Sequence, residues 1–429
     1  MIKIGIIGLG TVGSKVYDLI ISNKKLIERK IGTELEILYG CDIDRNKFKN
    51  KKFIFTNNWK DIVYNSDIDI VVELIGGKDL AKTIIIESLK NKKHIVTANK
   101  AVLSENWDEI FNLARDNKKL VYFEASVGAG IPIIQALNEG LAANKIDYIA
   151  GILNGTTNYI LTKMLSENIS FDKALSQAQK NGFAEMNPSL DIKGIDTAHK
   201  LSILASITYS NWIKLDNIYI EGIDKIELSD MKYVKEEFGY TVKLLGIVRK
   251  INNKLLLEVR PCLVSDSSPF VSVRNEFNAI LVKGDKCGEI LFYGKGAGGS
   301  PAASAVASDI MFLARQIAAG VAGNIPYVSY DPDKKLSFLS NEENFGNYYL
   351  RFTTVDKPGV LSKISGILGK NNVSIASVYQ KEPLNKKFKT ADIILLTHYV
   401  KEKSVIDSIR VIDKLDIIKS NTKLLKIEQ

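Results

Sequence analysis

Residues 2–7 (IKIGII) form a continuous apolar run ending at glycine, the pattern of a strand buried on both faces. From Thr11 to about Lys30 the period changes to that of a helix, with Val12, Val16, Leu19, Ile20 and Ile27 on one stripe. The spacing then predicts strands at Glu36–Cys41, Ile68–Leu74, His94–Thr97 and Leu120–Glu124, with helices at Leu80–Lys90 and Trp107–Asn117 between them. Strands alternating with helices are βαβ units, and they imply a parallel sheet.

Beyond about Gly128 the pattern is less regular. Segments 132–144, 158–165, 172–181 and 196–209 read as helices, while 146–153, 217–221 and 242–282 are strand-rich, with Pro261, Pro269 and Gly284 as breaks. A glycine turn at 294–299 opens a long helix, Ala303–Ala319. Residues 347–429 read βαββαβ: strands 348–355, 373–380, 391–399 and 422–428, helices 359–370 and 402–414. That order is ferredoxin-like. The expected fold class is therefore α/β: a Rossmann-type domain over 1–127, an α+β substrate and dimerisation domain over 128–293, and a helix over 294–326 returning to the first domain. A polar linker over 327–346 and a ferredoxin-like module over 347–429 complete it.

With 429 residues, 45% of them hydrophobic, the chain can bury two or three cores. The net charge of +9 raises the question of a polyanion partner, but the excess is scattered lysine (Lys24, Lys25, Lys49, Lys51, Lys52, Lys92, Lys93), the pattern of a solvated surface. No nucleic-acid or membrane partner is expected; no apolar run approaches the length of a span. Three widely spaced cysteines, Cys41, Cys262 and Cys287, argue against a disulfide framework and place the chain in a reducing cytoplasm. Three histidines without CxxC or HExxH argue against a transition-metal site.

Candidate chemistry begins with Gly8-Leu9-Gly10-Thr11-Val12-Gly13, a GxGxxG directly after a strand and opening a helix. The glycines permit a tight turn, close approach to a pyrophosphate and close helix packing. The anion would sit on free N–H groups at the helix N-terminus. Asp42, ending the second strand, is the candidate acid for the adenosine ribose; it accepts from the hydroxyls and repels a 2′-phosphate, favouring NAD over NADP. Arg45 and Lys47 nearby could offset that preference.

Within Gly182–Lys200, Asp196 and Lys200 stand at i and i+4, on one helix face about 6 Å apart along the axis. Spacing alone leaves two readings open, a surface ion pair or an acid-base pair. His199, one position earlier, points about 100° away and reads as packing.

The stretch Ala178–Lys200 resembles the signature of homoserine dehydrogenases, A-x3-G-[aromatic/aliphatic]-[small]-x2-[D/N]-P-x2-D-x2-G-x-D-x3-K, with Asn187 where the family usually has Asp. Thr97–Ala101 (TANKA), Glu124–Pro132 (EASVGAGIP), Gly151–Tyr159 (GILNGTTNY) and Gly296–Pro301 (GAGGSP) are similar to further elements of that family. Asp356–Leu361 and Ser374–Val378 resemble an ACT domain, a module that binds amino acids at its interfaces.

The resemblance implies an NAD(P)-dependent enzyme that interconverts aspartate 4-semialdehyde and homoserine in threonine, methionine and isoleucine biosynthesis. It implies Lys200 as proton donor to the aldehyde oxygen, with Asp196 and Glu185 holding the substrate, Glu185 at the amino group. Lys100, Gly182 and Gly298 would line the nicotinamide side. It also implies a structural Na+ on Glu124 and the carbonyls of Val127, Ala129 and Ile131. Many relatives carry an Arg before the ribose acid, where this chain has Cys41. Without that guanidinium a 2′-phosphate loses a bidentate partner, which agrees with the NAD preference. Threonine is the expected effector of the C-terminal module, and a homodimer or homotetramer the expected assembly. A truncation ending near Asn341 is expected to keep activity and lose inhibition.

Two other readings compete with this one. A thioester-forming semialdehyde enzyme needs a reactive Cys with a His partner, and neither Cys262 nor Cys287 has that setting. A non-catalytic amino-acid sensor would lack Lys200 or Glu185, and both are present.

Overall fold

The computed structural model describes residues 1–44, 48, 51–380 and 390–428; Arg45 and Lys47, read above as an offset to Asp42, lie outside them. By internal contacts the chain divides into two compact units. The first comprises Met1–Gly155, Asp196–Ile218 and Glu276–Leu336; the second comprises Thr156–Ile195, Tyr219–Asn275 and Ser337–Gln429.

The first unit carries a six-stranded parallel sheet. Its order is Ile54–Thr56, Leu35–Cys41, Ile2–Ile7, Ile70–Glu73, His94–Thr97, Val121–Tyr122. Numbered along the chain that is 3-2-1-4-5-6, the doubly wound order that opens a ligand crevice where the winding reverses. The apolar strand interiors explain the sheet: Ile4, Ile6, Ile70, Val72 and Val96 are all fully buried. The long helix Gly299–Ala318 lays Ala303, Val306, Ala307, Ile310 and Leu313 into the same core as Val16 and Ile20. In the same unit, Phe277–Gly284 pairs antiparallel with Ile146–Ile152 and with Gly288–Lys295.

The second unit is built on a long hairpin, Tyr240–Ile251 with Lys254–Ser265. Its C-terminal part is antiparallel, in the order Lys423–Glu428, Phe345–Val355, Thr390–Thr397, Ile375–Gln380. Helices Val360–Lys370 and Glu402–Ile412 supply Val360, Ile364, Leu368, Val405 and Ile412 to its core, against Tyr348, Leu350, Phe352, Ile393 and Leu395. This is the ferredoxin-like order, 4-1-3-2.

Several expectations give way to long-range effects. The helix expected over 11–30 is two, Thr11–Ser22 and Lys24–Ile31, divided at Asn23, whose backbone leaves the helical region at φ −105° and ψ 16°. The helix expected over 132–144 is a short turn, Ile133–Gln135, followed by a π-turn over Ala136–Gly140. Pro261 does not break its strand. It lies between the parallel partners that pair at Glu258–Val259 and at Cys262–Val264, where that side of the strand has no ladder bond to lose. The helix Leu228–Phe238 and the strand Gly288–Lys295 add to the expected elements. The stretch expected to be a linker makes specific contacts at several positions. The backbone carbonyls of Asp331 and Lys334 each accept from Asn211 Nδ2 at 2.8 Å, and Ser337–Phe338 pairs with Lys254–Leu255.

The largest departure concerns the C-terminal module. Its outer strand Lys423–Glu428 pairs in parallel with the hairpin at Cys262–Val264, so the module continues the hairpin's sheet. Between them lies a buried ionic cluster. Arg260 Nη1 donates to Glu402 at 2.7 Å and lies 3.5 Å from Glu258, and Lys426 pairs with Glu258. A truncation near Asn341 would unpair this strand edge and strip Arg260 and Glu258 of buried partners. It is therefore not the clean separation that the sequence suggested.

Candidate active site

The glycine turn is shaped by contacts that leave no room for side chains. Gly8 has φ +94°, and a Cβ there would lie 2.7 Å from the backbone of Leu74; a Cβ on Gly13 would lie 2.0 Å from the carbonyl oxygen of Gly8. Around Gly10, by contrast, nothing lies within 4 Å, so the N-terminus of helix Thr11–Ser22 opens onto free space. A second glycine helix start meets it: a Cβ on Gly299 would lie 2.9 Å from the Thr11 carbonyl oxygen. Gly298, with φ +112°, caps that helix. Two helix N-termini with no side-chain caps thus converge on one cradle. Free N–H groups and two dipole ends are the donor set that a pyrophosphate requires, and the residues present fit a dinucleotide.

Asp42 closes one side of the cradle. Its Oδ2 accepts the Leu9 N–H at 2.8 Å, and its Oδ1 accepts the Asp44 N–H at 3.3 Å. Cys41 is buried, and burial, with Asp42 and Asp61 nearby, pushes its thiol up to about 11. An arginine there would start inside the core, so position 41 is a poorer handle on cofactor choice than the sequence suggested.

The chemical centre is a three-residue ionic group within the first unit. Helix Ile195–Tyr209 presents Asp196 and Lys200 one turn apart, and their side chains meet at 2.8 Å. Asp196 Oδ1 also lies 3.2 Å from Lys100 Nζ, at the start of helix Lys100–Glu105, whose N-cap Asn99 accepts from the Val102 N–H. Asn154 Nδ2 donates to Asp196 Oδ2 at 2.9 Å, and Lys200 Nζ donates to the Leu153 carbonyl at 2.7 Å. Asp196 and Lys200 are each only 8% exposed, which removes the surface-pair reading. Burial raises the Asp196 carboxyl, but Lys200 and Lys100 outweigh it and hold the group below the ordinary carboxylate range. The centre thus has two cations against one anion, and Lys200 is fixed at two points with a donor to spare.

Gly182 and Glu185 belong to the second unit. Gly182 (φ +76°) follows helix Phe171–Lys180, and Glu185 sits on an exposed loop whose backbone carbonyl accepts from Gln179. That loop is anchored from below: Thr156 Oγ1 donates to the Phe183 carbonyl at 2.6 Å, and Asn181 donates to Tyr159 Oη at 2.9 Å.

Glu124 is buried and accepts the N–H groups of Ile134 and Gln135, both at 2.8 Å; its own N–H donates to Asp309 Oδ2. Burial pushes its carboxyl up to about 7, and it raises fully buried Asp309 well above the usual range. Gly128 (φ +71°) and Ala129 (φ +44°) turn the adjoining loop. Two buried acids beside such a loop are a donor set suited to a hard cation. No group of three or more His, Cys, Asp or Glu side chains that could hold a metal occurs among the described residues.

Some site residues escape the sequence reading. Asn154 and Leu153 lie in a family-like element, yet nothing in the local pattern gives them a role. Glu73 closes an apolar strand, accepts from Thr97 Oγ1 at 2.6 Å and from the Ile75 N–H at 2.9 Å, and is pushed by burial up to about 7. Its signal in the sequence is an acid ending an all-apolar run. Asn278 is fully buried with neither amide atom partnered, directly under Gly296.

The doubly wound sheet, the double-dipole cradle and a buried lysine held by a carboxylate define an NAD(P)-dependent oxidoreductase. Comparison with known proteins narrows this. The profile of homoserine dehydrogenase matches residues 132–311, that of its NAD-binding domain 8–124, and that of the ACT domain 348–413. Homoserine dehydrogenase of Helicobacter pylori is 42% identical, covering 100% of this chain and 99% of the relative; that of Neisseria gonorrhoeae is 39% identical, covering 100% and 98%. A solved homoserine dehydrogenase from Thiobacillus denitrificans superposes with a TM-score of 0.94 at 39% identity, over 100% of this chain and 98% of that one. A hyperthermophilic archaeal homoserine dehydrogenase mutant, solved in complex with NADPH, gives a TM-score of 0.61 at 27% identity over 72% of this chain and 96% of that one. The chain belongs to the homoserine dehydrogenase family.

Proposed function

We propose that this chain reversibly reduces aspartate 4-semialdehyde to homoserine, with Lys200 giving the proton to the aldehyde oxygen and taking it back in the reverse direction. The observation that carries this reading is the Lys200–Asp196–Lys100 group, a buried ammonium held by a carboxylate that a second cation also engages. Reduction of a carbonyl leaves charge on oxygen, and a positioned acid is needed to quench it. The nicotinamide, when bound, supplies the hydride. Asp196 orients Lys200 and substrate, and Lys100, Gly182 and Gly298 line the nicotinamide side. Glu185, on its exposed loop, takes the substrate amino group.

NAD is the preferred cofactor on this reading. Asp42 places a carboxylate against the glycine turn at the end of the second strand, where a 2′-phosphate would be repelled. Na+ binds at Glu124 with the carbonyls of Val127, Ala129 and Ile131, pairing with the Glu124 carboxylate. Threonine binds the module beginning near residue 347 and lowers activity. Support comes from Gly359, at φ +87° with nothing within 4 Å of a would-be Cβ, which opens the start of helix Val360–Lys370. Strand Ile375–Gln380 ends that sheet with alternating exposed residues, Val378 among them, and offers an edge to a second copy in a homodimer or homotetramer. The three free cysteines suit a cytoplasmic enzyme of threonine, methionine and isoleucine synthesis.

The deciding experiment follows NADH and NADPH absorbance with aspartate semialdehyde, with and without threonine. Turnover that requires both substrate and nicotinamide is the expected result. Absence of turnover with either cofactor would return the chain to the sensor reading.

A further inference from the structure

Helices Lys100–Glu105 and Ile195–Tyr209 face each other at two levels. At the first level Lys100 meets Asp196 at 3.2 Å. One turn further along both helices, Ser104 Oγ and His199 Nδ1 lie 2.6 Å apart, with Ser104 1% and His199 6% exposed. Ser104 Oγ also reaches the Ala101 carbonyl at 3.2 Å, and the Ser104 carbonyl accepts from Trp212 Nε1 at 2.8 Å. The Ser104 hydroxyl is thus shared between the imidazole and its own helix, while Trp212 holds the Ser104 backbone. The far ring nitrogen, Nε2, is 3.8 Å from Glu105, which itself pairs with Lys78. Glu105, Lys78, Asp196 and Lys100 are the charged groups around the imidazole.

The first level alone is a weak hold. Lys100 is 39% exposed on a flexible stem, and its helix has six residues, too few to be stable without tertiary support. Its ammonium also shares Asp196 with Lys200, so the two cations repel each other across one carboxylate. Something must hold the Lys100 helix in place against that repulsion, and the buried second level is the contact available on the same pair of helices.

We propose that His199 and Ser104 are positioning residues for the reaction: their hydrogen bond fixes the Lys100 helix on the Lys200 helix so that Asp196 keeps both ammonium groups in register. The inference rests on the reading of Lys200 as the proton donor. If the bond is lost, Lys100 drifts from Asp196, and Lys200 keeps the carboxylate without the competing cation. The proton donor is then no longer held in register with the carbonyl oxygen, so the reduction slows.

The test uses the full chain with four variants, His199→Ala, Ser104→Ala, His199→Asn and Lys200→Ala, each checked for folding and NADH binding. The two alanine variants at the second level are expected to lower kcat roughly tenfold with little change in KM, in keeping with the sensitivity of catalysis to small displacements. Combining them should cost no more than the worse single variant, and His199→Asn, whose amide reaches the place of Nδ1, should recover most of the rate. Should His199→Ala fail to fold, Ser104→Ala, which removes only a hydroxyl, carries the test. An unchanged kcat in folded Ser104→Ala would reduce the bond to packing and overturn the proposal. Full turnover in Lys200→Ala would instead overturn the underlying site reading, whatever the second-level variants do.

Discussion

Both units bury charged side chains, but they use them differently. In the second unit Arg260, 2% exposed, is surrounded by Glu258, Glu402 and Glu221, while Lys426 neutralises Glu258 and Tyr348 Oη donates to Glu402 at 3.1 Å. There carboxylates outnumber cations three to two, and their coulombic pull raises Arg260 well above its ordinary range despite the opposing cost of burial. In the first unit Lys100 and Lys200 share the single carboxylate of Asp196, and Lys100 remains partly open. This cluster ties a strand of the C-terminal module to the hairpin and is buried, with a surplus of carboxylate. The first-unit group carries surplus positive charge and a free donor, which is what a reaction that generates an alkoxide needs. Burial of charge alone therefore does not mark function. The sign of the surplus and an open side do.

The sharpest way to break this contrast is Lys200→Ala. Turnover should fall about 10²–10⁴-fold, the usual worth of general acid catalysis, with the thermal midpoint and NADH affinity nearly unchanged. A large loss of stability with retained turnover would mean that the first-unit cluster is structural as well.

Arg260→Met is the mirror experiment. It leaves Glu258 and Glu402 buried with less compensation, a change that typically costs about 3–5 kcal/mol, and urea unfolding should show it. The kcat of the folded fraction should stay the same. Replacing the partners together with apolar residues should recover much of the loss, because the cluster's desolvation is then removed along with its attraction.

A smaller effect separates buried acids from paired ones. Glu124 has a folded-state pKa of about 7 against an ordinary value of 4.5. The folded state thus holds a proton that the unfolded chain has already released. This stabilisation is complete below pH 4.5 and is lost as pH rises to about 7, amounting to about 3 kcal/mol. Unfolding curves of Glu124→Gln and the unaltered chain should therefore diverge between pH 5 and 8 in favour of the variant. Na+, but not a bulky organic cation, should close the gap at pH 8 by pairing with the carboxylate. No difference between the two salts would remove the cation from the site.

The smallest effect concerns cofactor choice. Asp42→Asn keeps an acceptor for the Leu9 N–H and removes only the charge, so the ratio of kcat/KM for NADH over NADPH should drop by roughly tenfold. A ratio that already favours NADPH in the unaltered chain would defeat the electrostatic argument from Asp42.

Much of the nucleotide half is legible in the order of residues alone. The apolar run of residues 2–7, the glycine turn and the strand at 94–97 depend on neighbours a few residues apart, and local periodicity reports such neighbours directly. The hairpin strand through Pro261 departs from local expectation because its partner strands decide it.

The amino-acid order thus carries the succession of elements, the glycine turn and the i, i+4 spacing that puts Asp196 and Lys200 on one face, all matters of short-range geometry within one chain. Whether that pair faces solvent or the interior depends on Lys100, Asn154 and the Leu153 carbonyl, which packing brings around it from positions 42 to 96 residues away. Long-range packing likewise joins Glu258 to Lys426 and Ser104 to His199. Such contacts are fixed by which buried polar groups find partners once the apolar faces have closed, and no periodicity along the chain records that outcome.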